Sequence, residues 1–155
     1  MIPYRIQEAD LEIPDSWSDQ TINIFKIPAN ENHGEASLVI SRDTSRGKTS
    51  FHDYVTGQIE TAKKQLPGFK LFHREDFDLR GNAASSVRYS WSRDGLDLML
   101  CQVFVENVRS VLILTLTTTP EDASNHAAAW KEIIRSYRPV TVSDPSHTTS
   151  SPENP

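Results

Sequence analysis

The feature that most constrains the fold is a pair of long apolar segments joined by a short polar link. Residues 96–105 and 110–119 are rich in aliphatic and β-branched side chains. The link between them, residues 106–109, has the four-residue length common between antiparallel strands. This pattern predicts a hairpin of two long strands.

Both faces of the first predicted strand are apolar. Because alternate side chains of a strand point to opposite sides of a sheet, Leu98, Leu100 and Gln102 share one face. Met99 and Cys101 lie on the other face. A sheet with one face in water would alternate apolar and polar residues, so each face must be covered. A helix can cover one face, and a second helix, a second subunit or a hydrophobic ligand can cover the other.

Composition narrows the class of protein. A chain of 155 residues is long enough for one well-buried domain. Its net charge of −5 and the lack of a dense Lys/Arg run argue against nucleic acid or an anionic membrane as partner. The N-terminus has no secretory leader and no segment is long and apolar enough to span a membrane, so we expect a soluble cytoplasmic protein. The single cysteine, Cys101, lies in an apolar strand and is expected to be an inert core thiol.

Turn and cap signals divide the chain into strands and two helices. Trp17 follows the first turn signal, at Pro14, and is expected to anchor its loop in the core. The predicted class is α+β, an antiparallel sheet with flanking helices, in one domain over residues 1–139. Residues 140–155, rich in Pro, Ser and Thr, are expected to be a disordered tail. The predicted strands cover residues 4–13, 21–27, 36–41, 70–79, 83–92 and the long hairpin; the helices cover residues 50–66 and 120–138.

The first predicted helix carries an amide and a glycine at informative places. Ser50 and Asp53 form a variant of the capping box, and Pro67 with Gly68 is a stop signal. Gln58 falls within the apolar stripe of this helix, as Gln102 falls within an apolar strand face. Each amide either satisfies a backbone group of the core, or lies at the solvent edge of its apolar surface, or serves a function. A glycine within a helix, here Gly57, costs about 1 kcal/mol relative to alanine, so it is either tolerated on an exposed turn or allows another backbone to approach.

No pattern typical of catalysis or metal binding is present in the sequence. It contains no nucleophile elbow, phosphate loop or dinucleotide fingerprint. The histidines are scattered, with no metal-ligand spacing. We therefore expect no enzyme activity, no metal and no cofactor. The five histidines are His33, His52, His73, His126 and His147.

Several separate blocks of sequence carry a resemblance to a known family. The chain resembles the Eag chaperones of bacterial type VI secretion, within the DcrB-related superfamily, over about residues 1–140. The blocks are YRIQEADLEIP at 4–14, INIF at 22–25, ASLVISRD at 36–43, QLPGF at 65–69 and LTLTTTP at 114–120.

The resemblance implies a fold, a partner and a binding surface. The implied fold is PsbP-like α+β, and the implied assembly is a homodimer. The implied function is to shield the N-terminal transmembrane helices of a PAAR-containing effector, such as one of the Rhs type, in the cytoplasm. The protein would also help to load that effector onto the VgrG spike. The family's groove is lined by aliphatic residues and two glutamines, which match Ile22, Ile24, Val39, Gln58, Ala62, Leu66, Leu98 and Gln102.

The residues themselves also favour a surface for apolar helices. Membrane helices expose aliphatic side chains that aggregate in water unless an apolar surface covers them. Such helices pack through polar and small residues, so amides in a groove could hydrogen-bond to them. Two other classes stay open: an immunity or adaptor protein that binds another part of the toxin, and an enzyme or binder that takes a small molecule into an apolar cavity. The sequence identifies neither the client effector nor its toxic activity.

Overall fold

The computed structural model describes residues 1–140, which form two compact units. One unit contains Met1–Gln20 together with residues 138–140, and the other is Thr21–Tyr137. The predicted tail lies outside the described residues except for Val140. The single-domain boundary at residue 139 stays a prediction.

A short hairpin forms the start of the first unit. Strand β1 (Ile2–Arg5) pairs antiparallel with β2 (Asp10–Ile13), as the early extended segments predict. The Arg5 guanidinium donates to both Asp10 carboxylate oxygens, at 2.6 and 2.9 Å, next to the turn that connects the two strands. Trp17 is 67% exposed, so the expectation that it anchors a loop in the core is wrong. A turn bond from its N–H to the Pro14 carbonyl, 3.0 Å long, fixes its backbone instead.

The second unit is built on one six-stranded antiparallel sheet with the order β3-β4-β8-β7-β6-β5. Sequential strands pair in the meander from β5 to β8, as expected. The central hairpin is confirmed, but its link covers residues 107–110, one residue later than predicted, because Glu106 still pairs with Val111 and Asn107 closes the turn by bonding to Ser110. The strands are β3 (Asn23–Ile27), β4 (Ala36–Asp43), β5 (Lys70–Leu79), β6 (Asn82–Arg93), β7 (Leu96–Glu106) and β8 (Val111–Thr118).

Helix α1 (Phe51–Gln65) begins and ends at the predicted signals. The Asp53 N–H donates to the Ser50 hydroxyl, 3.1 Å away, which caps the first turn. Gly68 has a φ of +67°, a conformation that favours glycine and turns the chain into β5. An added Cβ there would also lie 3.3 Å from the Ser92 hydroxyl.

Helix α2 (Ala123–Arg135) begins and ends about three residues inside its predicted limits. The acidic Asp122 does not cap it with its side chain. Its Oδ2 instead accepts hydrogen bonds from the Gly34 N–H at 2.9 Å and the Thr119 hydroxyl at 3.2 Å. The carboxylate thus ties the loop before β4 to the turn before α2, and the helix starts after that turn.

The two helices cover opposite faces of the sheet. Tyr54 and Val55 of α1 pack with Val87, Leu100 and Phe104 in one buried cluster. The second cluster lies on the other face, where Trp130, Ile134 and Tyr137 pack against it, the first two from α2. Of the three possible covers for the second apolar face of β7, the structure therefore has a second helix. The buried members of the second cluster are Leu79, Ala84, Val103 and Val105.

Candidate functional site

Part of the face that α1 packs on carries aliphatic side chains that remain exposed. Ile24 of β3 pairs with Val39 of β4, Val39 pairs with Thr115 of β8, and Thr115 pairs with Gln102 of β7. Directly paired residues lie on the same face, so these four side chains form one row across the sheet. We call Ile24, Val39, Thr115 and Gln102 the open row. Ile24, at the sheet edge, is 64% exposed, and the other three are partly buried.

Helix α1 lies beside the open row. The Tyr54 hydroxyl donates to the Asp43 carboxylate at the end of β4, so this side of the helix faces the strands that carry the row. Gln58 and Ala62 follow Tyr54 at intervals of four residues and therefore share its side of the helix. Both are partly buried. The amide of Gln58 is thus carried by a helix that borders an aliphatic surface.

The remaining predicted lining residues lie in different surroundings. Ile22 precedes β3 and is 56% exposed. Leu98 is only 7% exposed and belongs to the core cluster beneath α1, against which Leu66 also packs. Leu98 is therefore not on the surface of the free protein, because α1 covers the part of the sheet that carries it, and its place in the groove stays a prediction.

A polar network fixes the opposite side of α1 to β5. Arg74 donates to the Thr56 hydroxyl at 2.7 Å and to the His52 carbonyl at 3.1 Å. Asp76 bonds to His52 Nδ1 and to the Ser85 hydroxyl, each at 2.8 Å. Although burial raises the pKa of Asp76, hydrogen bonds from Ser85, His52 and Arg74 outweigh it, and the net pKa is lowered. Ser85 bonds to the carboxylate and not to the imidazole, so this arrangement holds a helix in place and does not activate a nucleophile.

Thr115 is a member of the open row that the sequence interpretation missed. Gln102 Nε2 donates a hydrogen bond to the Thr115 hydroxyl, with 3.1 Å between N and O. The alternation Leu114, Thr115, Leu116, Thr117 was a usable signal, since it places hydroxyls on one face of β8 and leucines on the other. Leu114 and Leu116 are buried, whereas Thr115 and Thr117 are partly buried.

Two cavities lie on the other face, beside α2. Their volumes are about 420 and 490 Å³, and both are lined by Arg88, Cys101, Trp130 and Lys131. Burial raises the pKa of the Cys101 thiol, which keeps it protonated and weakly reactive at neutral pH. None of the eight predicted lining residues borders either cavity.

The described part of the chain contains neither a candidate membrane span nor a candidate metal site. No helix within residues 1–140 has the length and apolar character needed to cross a bilayer. In the same part of the chain, no cluster of three or more His, Cys, Asp or Glu side chains has an arrangement suited to a metal ion.

Comparison with known proteins identifies the family. The DcrB family model matches residues 8–136. The chain belongs to the DcrB family. Within it, the chain is 56% identical over 139 residues to a protein of Pseudomonas aeruginosa strain PAO1 named Effector EagT6, covering 90% of this chain and 96% of that protein. This Eag-type, DcrB-related membership confirms the resemblance.

Solved structures confirm the fold of this DcrB-family chain. The crystal structure of PA94, a Pseudomonas aeruginosa protein of unknown function, is 55% identical and superposes with a TM-score of 0.84, covering 92% of this chain and 99% of that one. The solution structure of cyanobacterial PsbP from Synechocystis sp. PCC 6803 is 10% identical, with a TM-score of 0.53 and coverage of 90% and 92%. The second likeness concerns the fold alone, and it confirms the predicted PsbP-like α+β class.

Proposed function

We propose that the protein is a chaperone for apolar helices of a type VI secretion effector. In this proposal it binds the N-terminal transmembrane helices of a PAAR-containing effector, shields them from water and assists loading of the effector onto VgrG. The identity to a protein named Effector EagT6 supports an association with such an effector.

The observation that carries the proposal is the exposure of the aliphatic end of the open row. Ile24 is 64% exposed beside its half-buried partner Val39, and Ile22, just before β3, is 56% exposed. Contiguous exposed aliphatic side chains are unfavourable in water and are typical of a surface that a partner covers. A membrane helix offers a matching surface, because its own Leu, Ile and Val side chains must also leave water.

The amides near this surface favour a membrane helix over an ordinary apolar peptide. Gln58 and Gln102 offer donors and acceptors within an aliphatic surface. Membrane helices associate through interhelical hydrogen bonds as well as through close packing. We propose that Ile22, Ile24, Val39, Gln58, Ala62, Leu66, Leu98 and Gln102 form the effector-binding region, with Leu66 and Leu98 supporting it from the core.

The proposal also includes the oligomeric state of the protein and the compartment in which it acts. It acts in the cytoplasm as a homodimer and without catalysis, because shielding a helix requires only a complementary surface. Light scattering at micromolar concentration tests the dimer. A monomer at that concentration would contradict this part of the proposal.

Co-purification with the two halves of an effector tests the function. The protein would be co-expressed with the N-terminal transmembrane region of a PAAR-containing effector from its host, and separately with that effector's toxic domain. We expect the N-terminal region to be soluble and to co-purify only when the protein is present. Capture of the toxic domain alone would instead indicate an immunity protein.

A further inference from the structure

The hydrogen bond between Gln102 and Thr115 joins the two polar side chains of the open row. Gln102 lies on β7 and Thr115 on β8, the central strands of the sheet. Val87 pairs with Gln102 on one side and Val39 with Thr115 on the other, so aliphatic side chains flank the pair at both ends. Along this row, the pair is therefore a polar position between two aliphatic side chains.

The hydrogen bond to Thr115 restricts the orientation of the Gln102 amide. Its Nε2 donates to the Thr115 hydroxyl at 3.1 Å. Within residues 1–140 this is the single hydrogen bond of the Gln102 side chain, which leaves the carbonyl oxygen and one N–H for another molecule. Without Thr115, a glutamine with three rotatable bonds would sample many orientations over an aliphatic surface.

We propose that Thr115 is a positioning residue that orients the Gln102 amide toward a bound helix. The inference rests on the proposed function and adds a selection rule to it: the groove prefers an apolar helix that has a small polar residue level with this pair. A helix seated on the row removes water from the amide, and each donor or acceptor left unpaired then costs free energy. Thr115 already accepts a hydrogen bond from one N–H of the Gln102 amide. A serine on the helix can then bond to the carbonyl oxygen or to the other N–H of that amide.

Two model helices provide the probe. Each is a dye-labelled peptide of about 22 residues, long enough for a membrane span, composed of Leu and Ala with charged ends. One has a central Ser and the other has Leu at that place. Fluorescence anisotropy in a mild detergent below its micelle-forming concentration measures the Kd of each peptide for the full-length protein. The readout is the ratio of the two Kd values, which a loss of general stability would not change selectively.

We expect the natural protein to bind the Ser-containing helix about three- to twenty-fold more tightly than the Leu helix, as interhelical hydrogen bonds in membranes suggest. Thr115→Val keeps the β-branched shape but removes the hydroxyl, and it should bring the ratio close to one. Thr115→Ser restores the hydroxyl and should restore the preference. In a Gln102→Leu background, Thr115→Val should have no further effect.

Any other result of these binding measurements would contradict a defined part of the proposal. A preference that survives Thr115→Val, or that Thr115→Ser does not restore, would show that the hydroxyl does not position the amide. A further loss in the Gln102→Leu background would show that Thr115 contacts the helix independently. If the natural protein binds neither peptide, the proposed function itself fails. If it binds both peptides equally, the selection rule alone fails.

Discussion

The Tyr54 hydroxyl donates a hydrogen bond of 2.6 Å to Oδ2 of Asp43, which joins α1 to the end of β4. The same carboxylate accepts bonds from the Ser45 N–H at 2.8 Å and from its hydroxyl at 2.6 Å. Hydrogen bonds from Ser45 and Tyr54 lower the pKa of Asp43, although burial opposes them. Burial and the nearby Asp43 raise the pKa of Tyr54, so the phenol stays a donor. This contact holds α1 beside the open row.

Tyr54→Phe should lower the free energy of unfolding at pH 7 by about 1.5 to 3 kcal/mol, because it removes one hydrogen bond to a carboxylate and keeps the buried ring. Folding lowers the Asp43 pKa, so this stabilisation is complete above the unfolded pKa of about 3.9 and is lost as the pH falls through the folded value. Urea unfolding of both proteins at pH 7 and in acid would measure it. A difference of the same size at both pH values would contradict the assignment to the Asp43 carboxylate.

Ile24→Glu should abolish capture of the effector's N-terminal helices and leave the free protein folded. Ile24 is 64% exposed, so the new carboxylate stays in water until a client covers it. Phe25→Glu is the matched control, since Phe25 is 56% exposed on the opposite face of the same strand. Co-purification and thermal melting would be measured for both variants. Equal loss of capture in the two variants would mean that this face is not specific to the client.

Leu98→Ala should lower the free energy of unfolding by about 2 to 4 kcal/mol, because it opens a cavity in the core beneath α1. Leu98→Glu should destabilise the free protein further, since it buries a charge without a partner. Denaturant unfolding without a client would test both variants. If Leu98→Glu were as stable as the wild-type protein, Leu98 would have to be accessible in solution. It would then line the surface of the groove.

Gly57→Ala should raise the free energy of unfolding by about 0.5 to 1 kcal/mol, because alanine is the better helix former. An added Cβ at Gly57 meets no atom within 4 Å, so there is no steric penalty in the free protein. Urea unfolding would measure the gain, and helix capture would be measured on the same samples. Reduced capture with raised stability would favour close approach of another backbone at Gly57, whereas unchanged capture would favour a tolerated glycine.

Local signals explain which elements were predictable. Ser50 and Gly68 mark the ends of α1 through interactions made within a few residues, a side-chain cap and a positive φ. The hairpin of β7 and β8 follows from composition and a short link. Where a side chain had a distant partner, prediction was less accurate: Asp122 bonds to Gly34, 88 residues away in sequence, and α2 begins later than its acidic residues suggest.

The candidate site also combines features that local sequence predicts with features that depend on distant partners. The resemblance to a family supplied eight lining positions, but it could not separate Leu98 from Ile24, since both are aliphatic residues in predicted strands. Thr115 was missed because an alternating threonine has no evident role until its neighbour across the strands is known. That neighbour, Gln102, is identified by the register of β7 against β8.

The sequence alone determined the class of fold, the order of the strands along the chain and an apolar surface in excess of what one helix could cover. These properties follow from side-chain period, turn residues and composition, which act over short distances. Tertiary structure decided which apolar residues remain exposed. The pairing of β4 with β8 joins residues 37–43 to residues 111–117 and leaves β3 at the sheet edge. Burial depends on which element packs above a residue, so the exposure of Ile24 and the burial of Leu98 arise only when distant segments meet.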